Sequence, residues 1–184
     1  RIETSPLLVP ELAAAFPEIA TYRGTGVDDR SATTRFDWTA NGFHAIVLTA
    51  TGAIYIDPAS EGDRVTYVSY NKADVRPTGP GFICAVDGGS AADGKRTVNQ
   101  FPFTHGTLTR TYRMAAAATA EYTAAAGGVA GAVARMTTSM NRVNGIFERE
   151  VGVRFTLATG PGANPTALIF TDATTDPYTN TDTS

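Results

Sequence analysis

The apolar positions of this chain change their period several times, and each change predicts an element. Pro10 to Phe16 reads as a short helix, with proline in the first turn and Pro17 closing the segment. Glu18 to Tyr22 reads as extended. From Ala32 the period becomes two: Ala32, Thr34, Phe36 and Trp38 alternate with Thr33, Arg35 and Asp37, which is a strand. Asn41-Gly42 is a hairpin signal, since both residues tolerate the positive φ of a tight turn, and Phe43 to Thr49 is the return strand. A second turn at Thr51-Gly52 leads to Ala53 to Ile56, which Asp57-Pro58 is expected to stop, and Val65 to Tyr70 supplies a further strand. Residues 32–70 are thus expected to form an antiparallel meander.

Between Pro77 and Asn99 the texture changes to Gly79, Gly81, Gly88, Gly89 and Gly94 among Pro, Ser, Asp and Lys. That is the composition of a linker or processing loop. Three regions follow: 1–76, a β region; 77–106, the Gly/Pro-rich linker; and 107–184. In the last region Thr109 to Ala118 reads as a strand, and Thr119 as an N-cap with Glu121 in the first turn. Tyr122, Ala126, Val129, Val133, Met136, Met140, Val143 and Phe147 then recur in steps of three or four, an amphipathic helix with a kink or late start expected at Gly127-Gly128. Val151 to Leu157 and, after Gly160-Pro161-Gly162, Ala167 to Phe170 read as strands. Strand, helix and strand in that order predict a right-handed crossover in a mixed sheet.

Composition narrows the classes of function. The 184 residues are 42% hydrophobic and 18% charged, with a formal net charge of -3, a balance that favours a folded chain. Lys72 and Lys95 are the only lysines, and the arginines are scattered along the sequence, so neither a polyanion nor a nucleic acid is expected as partner. No run approaches the roughly 20 apolar residues of a membrane span. Arg1 is followed by neither a basic n-region nor an apolar h-region, so no targeting segment is read within the chain.

Candidate chemistry is sparse. His44 and His105 stand far apart with no metal-ligand spacing around either, and each reads as structural: His44 on the strand face of Ile46 and Leu48, His105 in a loop. No G-x-S-x-G elbow and no phosphate-cradling glycine motif occurs. Asp172, Asp176 and Asp182 raise the thought of calcium, but they lack the D-x-[DN]-x-[DN]-G spacing and read as a solvated turn. Glu148 and Glu150 flank Arg149 as a salt-bridged surface. Cys84, the single cysteine, excludes an intrachain disulfide; among apolar neighbours in Gly81 to Val86 it reads as a small buried hydrophobe.

The stretch Arg110 to Thr123, with Val129 to Ala134, Thr137 to Glu150, Ile169 to Asp172 and Thr175 to Asn180, resembles the opening of the catalytic domain of bacterial reprolysin-like (metzincin) zinc metallopeptidases. Upstream, Tyr22 to Asp29, Gly42 to Ala45 and Tyr55 to Pro58 are similar to the propeptide region of those enzymes. The resemblance implies an α+β fold: an N-terminal antiparallel meander followed by a partial strand-helix-strand sheet unit. It implies a secreted or extracellular zinc endopeptidase acting on proteins or peptides, held latent by its propeptide. In that family H-E-x-x-H-x-x-G-x-x-H supplies the zinc ligands and the base, and the motif is absent here. The expectation is therefore a segment truncated before that motif and inactive by itself, with no catalytic, cofactor or metal-ligating residue of its own, no bound zinc, and the remainder of its catalytic domain as partner. Cys84 becomes a candidate inhibitory thiolate directed at that zinc. The rival expectation is a non-catalytic extracellular binding module that self-associates through faces the missing half leaves exposed.

Overall fold

A computed structural model describes residues 1–76 and 108–178. The first of these segments folds as a six-stranded sheet: β1 Ile2–Thr4, β2 Ala20–Thr25, β3 Thr33–Thr39, β4 Gly42–Leu48, β5 Ala53–Pro58 and β6 Tyr67–Asn71. The strands lie side by side in chain order, every pair antiparallel. At the expected hairpin Thr39 pairs with Gly42, so the turn is centred on Ala40 and Asn41, and Gly42 alone takes the positive φ, 106°. Asp57-Pro58 does not stop β5, because Asp57 and Pro58 still find partners in Val68 and Tyr67. Strand β1 carried no alternation long enough to announce itself.

Helix α1 is Pro10–Ala15. In the C-terminal segment β7 is Arg110–Ala115, α2 is Ala120–Ala125, α3 is Val129–Val151 and β8 is Val153–Ala158. The Thr119 hydroxyl accepts from the Tyr122 N–H and caps α2. The expected break falls at Gly127 and Gly128, with φ of 80° and 102°, values that L side chains avoid. Strands β7 and β8 run parallel, as a helical crossover requires. The fold is α+β, with the antiparallel and the parallel strands in two separate sheets in place of one mixed sheet. Of the strand expected at Ala167 to Phe170, a single bridge forms, between Ala118 and Ile169.

The main core belongs to the C-terminal segment, yet the N-terminus builds much of it. Leu8 lies parallel beside Leu157; the Leu157 N–H donates to the Leu7 carbonyl at 2.8 Å and the Val9 N–H to the Leu157 carbonyl at 3.1 Å. Leu7, Leu8, Val9 and Leu12 are buried in one cluster with Val133, Leu157 and Ile169, against which Val129, Met136 and Met140 pack. The ends of the helical apolar row fail to join it, since Tyr122 and Phe147 remain exposed.

The register of the six-stranded sheet sorts its side chains. Trp38 faces Phe43 and Phe36 faces Ala45 on one side, where Tyr22 stacks on Phe36 at 4.9 Å and Tyr67 meets Phe43 edge-on at 6.1 Å. Arg35 opposite Ile46 and Asp37 opposite His44 occupy the other side, and α3 lies on that side. The charged face is the one under the helix.

Candidate functional site: the helix–sheet junction

Helix α3 presents Thr138, Asn141, Arg142, Gly145 and Glu148 to the sheet, residues three or four apart and so on one face. Strand β3 offers Arg35 and Asp37, two apart and therefore on the same face of the pleat. Arg35, 2% exposed, donates from Nε and Nη2 to the two Glu148 carboxylate oxygens at 3.1 and 2.5 Å, and from Nη1 to Asn141 Oδ1 at 3.1 Å. Asp37, equally buried, accepts from Asn141 Nδ2 at 3.1 Å and from the Thr138 hydroxyl at 2.7 Å. Arg35 and Ile46 lie under Gly145, where an added Cβ would meet them at ordinary contact distances.

A second cluster lies one strand pair away. Arg142 donates to Asp57 Oδ1 at 2.5 Å, sits 5.0 Å from the centre of the Tyr55 ring, and Tyr70 donates its hydroxyl to Asp57 Oδ2 at 2.7 Å. Burial, together with the carboxylate that takes its proton's hydrogen bond, pushes the Tyr70 hydroxyl up to about 12. Further along, Arg135 pairs with Glu61, and Arg149 donates to the Thr49 carbonyl at 3.4 Å.

The junction holds α3 against the sheet. His44 Nδ1 lies 3.5 Å from both Asp37 Oδ2 and Thr138 Oγ1. This has the residue types of a nucleophile–base arrangement, but the Thr138 proton is already committed to Asp37 at 2.7 Å, so the imidazole does not activate the hydroxyl. What the cluster does is satisfy buried charge: each ionised group has an opposite charge or several hydrogen bonds, the condition under which burying it is tolerable.

The structure separates the residues singled out in the sequence. His44 is where the alternation put it, mostly buried, but facing Asp37 and α3. Glu148 does not form a surface pair with Arg149; it is drawn inward by Arg35, and Arg154 Nε also approaches it at 3.7 Å. Asp172 accepts from the Thr174 N–H and hydroxyl, which hold its carboxyl below the usual range. Asp176 accepts from the Ala120 N–H at 2.7 Å. Both are occupied by donors of the chain, and among the described residues no three His, Cys, Asp or Glu side chains converge as metal ligands would. Cys84, His105 and Asp182 lie outside the described residues. Sequence reasoning missed Arg35, Asp37, Thr138, Asn141 and Arg142. For the helical ones the signal was a polar set at helical spacing, Thr138, Asn141, Arg142 and Glu148, running beside the apolar one.

Residues 108–184 match the family model of metallo-peptidase family M12B, reprolysin-like. No curated protein and no solved structure matches the chain. The match supports a reprolysin-like metallopeptidase family for the segment that holds β7, α2, α3 and β8, and no helix among the described residues is long and apolar enough to cross a membrane.

Proposed function

We propose that residues 1–76 are the propeptide, and residues 107–184 the opening of the catalytic domain, of a secreted zinc-dependent endopeptidase of bacterial reprolysin type, joined by a processing segment at 77–106. The observation that carries this reading is the parallel order of β7, α2, α3 and β8 within the segment that matches the family, clasped on the far side of α3 by a sheet made wholly from the upstream residues. Among the described residues no zinc ligand set converges. In this reading the metal and the water it would activate belong to a remainder of the catalytic domain, the partner of these residues, and the intact enzyme's substrates are proteins or peptides.

In this reading the sheet and α3 have defined tasks. The paired charges of the junction orient the propeptide on α3, and Leu7 to Leu12 anchor it by filling the core beside β8. Cys84 is the thiolate that reaches the zinc and keeps the enzyme latent. The test is a protein in which this chain continues into a half bearing H-E-x-x-H. It should hydrolyse a peptide substrate only after the chain is cut within 77–106, and Cys84→Ala should release activity without the cut. Full activity of the uncut protein would overturn the propeptide assignment, and unchanged latency in Cys84→Ala would overturn the thiolate's role.

A further inference from the structure

We infer that the cleft between the turn at 26–32, strand β3 and the C-terminal part of α3 binds a multivalent oxyanion, a ligand carrying two or more phosphate or sulfate groups. This site is separate from the proposed peptidase chemistry and does not depend on it. The arginines that look scattered in the sequence are gathered here. Arg23, Arg30, Arg35 and Arg149 line a cavity of about 740 Å³; among the described residues Glu3 and Glu148 are the carboxylates in its wall, and Asp29, in the bounding turn, is near enough to Arg149 to feel its charge. With Asp29 counted beside Glu3 and Glu148, four positive and three negative side chains still leave an excess of one cation in a chain whose formal net charge is -3. Arg1 also lines the cavity, but the excess does not rest on it.

The two carboxylates are already engaged. Glu3 takes a hydrogen bond from Arg23 at 2.6 Å, and both oxygens of Glu148 are held by Arg35. Arg30 makes no bond among the described residues, and the one hydrogen bond that Arg149 makes is the long contact to the Thr49 carbonyl. Most donors of these two guanidinium groups are thus left to serve a ligand, although Arg149 also feels the Asp29 carboxylate, and Thr33 and Thr109 line the same wall. Arg154 is pushed down from its ordinary value first by burial and then by the charges of Arg35 and Arg23, with the Glu148 carboxylate at 3.7 Å acting against them.

Guanidinium groups favour this ligand class because their planar forks meet two oxygens of a phosphate or sulfate at once. The volume is that of a small-molecule pocket, too large for a single anion. The C-terminal turn of α3 contributes negative potential, so the attraction comes from the side chains alone. The wall is drawn from both segments of the chain, with Arg23, Arg30 and Arg35 on one side and Thr109, Gly145 and Arg149 on the other. A bound anion therefore ties the sheet more firmly to α3.

The experiment is calorimetric titration of the whole chain with pyrophosphate and, separately, with a sulfated oligosaccharide, at constant ionic strength because exposed charges are screened within roughly 10 Å. Binding of at least one probe is expected, with a raised melting temperature. Arg30→Ala combined with Arg149→Ala should weaken binding by about tenfold or more, as losing charge-assisted hydrogen bonds does. Arg76→Ala, outside the cavity, should leave it unchanged. Tighter binding of the oligosaccharide would assign the anion to a sulfated glycan, and tighter binding of pyrophosphate to a free phosphate compound. If neither probe binds, or if the double variant keeps its near-ultraviolet circular dichroism and binds like the parent, the inference is overturned.

Discussion

Along one flank of α3 the contacts are Val133, Met136 and Met140 within the cluster of Leu7, Leu12 and Leu157; along the other they are Thr138, Asn141, Arg142 and Glu148 with Arg35, Asp37 and Asp57. The first flank is held by removing apolar surface from water, which is non-directional and involves no titrating group. The second is held by directed pairs whose strength depends on protonation and on every partner being present. A single helix thus joins a core that forms by default to a junction that forms only when its charges match. Such a junction suits two segments meant to be positioned accurately and separated later, which is what the proposed propeptide requires.

The sharpest way to break this comparison is to remove one partner from the ionic flank. Glu148→Ala leaves the Arg35 guanidinium buried and uncompensated, and unfolding in urea should show a loss of about 3–5 kcal/mol. Replacing both partners, Arg35→Met with Glu148→Leu, should recover most of it, because apolar packing of similar volume costs no desolvation. If the double variant is as unstable as the single one, the ionic pair contributes more than its burial penalty and the contrast between the flanks is misdrawn. On the apolar flank, Leu157→Ala should cost about 2–5 kcal/mol by leaving a cavity, with no rescue by a change of salt or pH.

Smaller effects test the packing of the helix itself. A Cβ on Gly131 would stand 1.8 Å from the Ala126 carbonyl oxygen, so Gly131→Ala should lower stability by about 1–3 kcal/mol. A Cβ on Gly145 meets Arg35 and Ile46 at 3.5 and 3.6 Å, ordinary contact distances, so Gly145→Ala should change stability by less than about 1 kcal/mol. The last prediction concerns pH. Tyr70 keeps its proton up to about 12 in the folded chain, whereas an unfolded tyrosine loses it near 10. Its contribution is therefore complete below about pH 10 and is lost as the pH rises towards about 12. Tyr70→Phe should flatten that part of the stability curve, and a Tyr70 that titrates at the ordinary value in ultraviolet absorbance would contradict the closed Asp57 cluster.

Much of the fold was written locally. Alternation in Ala32 to Trp38, the hairpin near Gly42, the Thr119 cap and the Gly127-Gly128 break are short-range steric and hydrogen-bonding signals, and each of those elements forms close to where the sequence predicts it. The helix from Val129 was equally legible from its period, though not the fate of its ends. The candidate site was not legible, because a polar residue at helical spacing looks the same whether water or another charge will meet it.

The sequence was enough for the set of elements, their rough bounds, and the likeness of residues 110–180 to reprolysin-like metallopeptidases, since backbone propensity and side-chain period act over a few residues. What only the tertiary structure decided is pairing at long range. It placed Leu7 to Val9 beside β8, set Arg35 against Glu148 more than a hundred residues away, and brought several arginines scattered along the chain to the two sides of one cleft. Those outcomes depend on which faces meet when the chain collapses, and the free energy that selects them is shared among many residues and encoded in no single stretch.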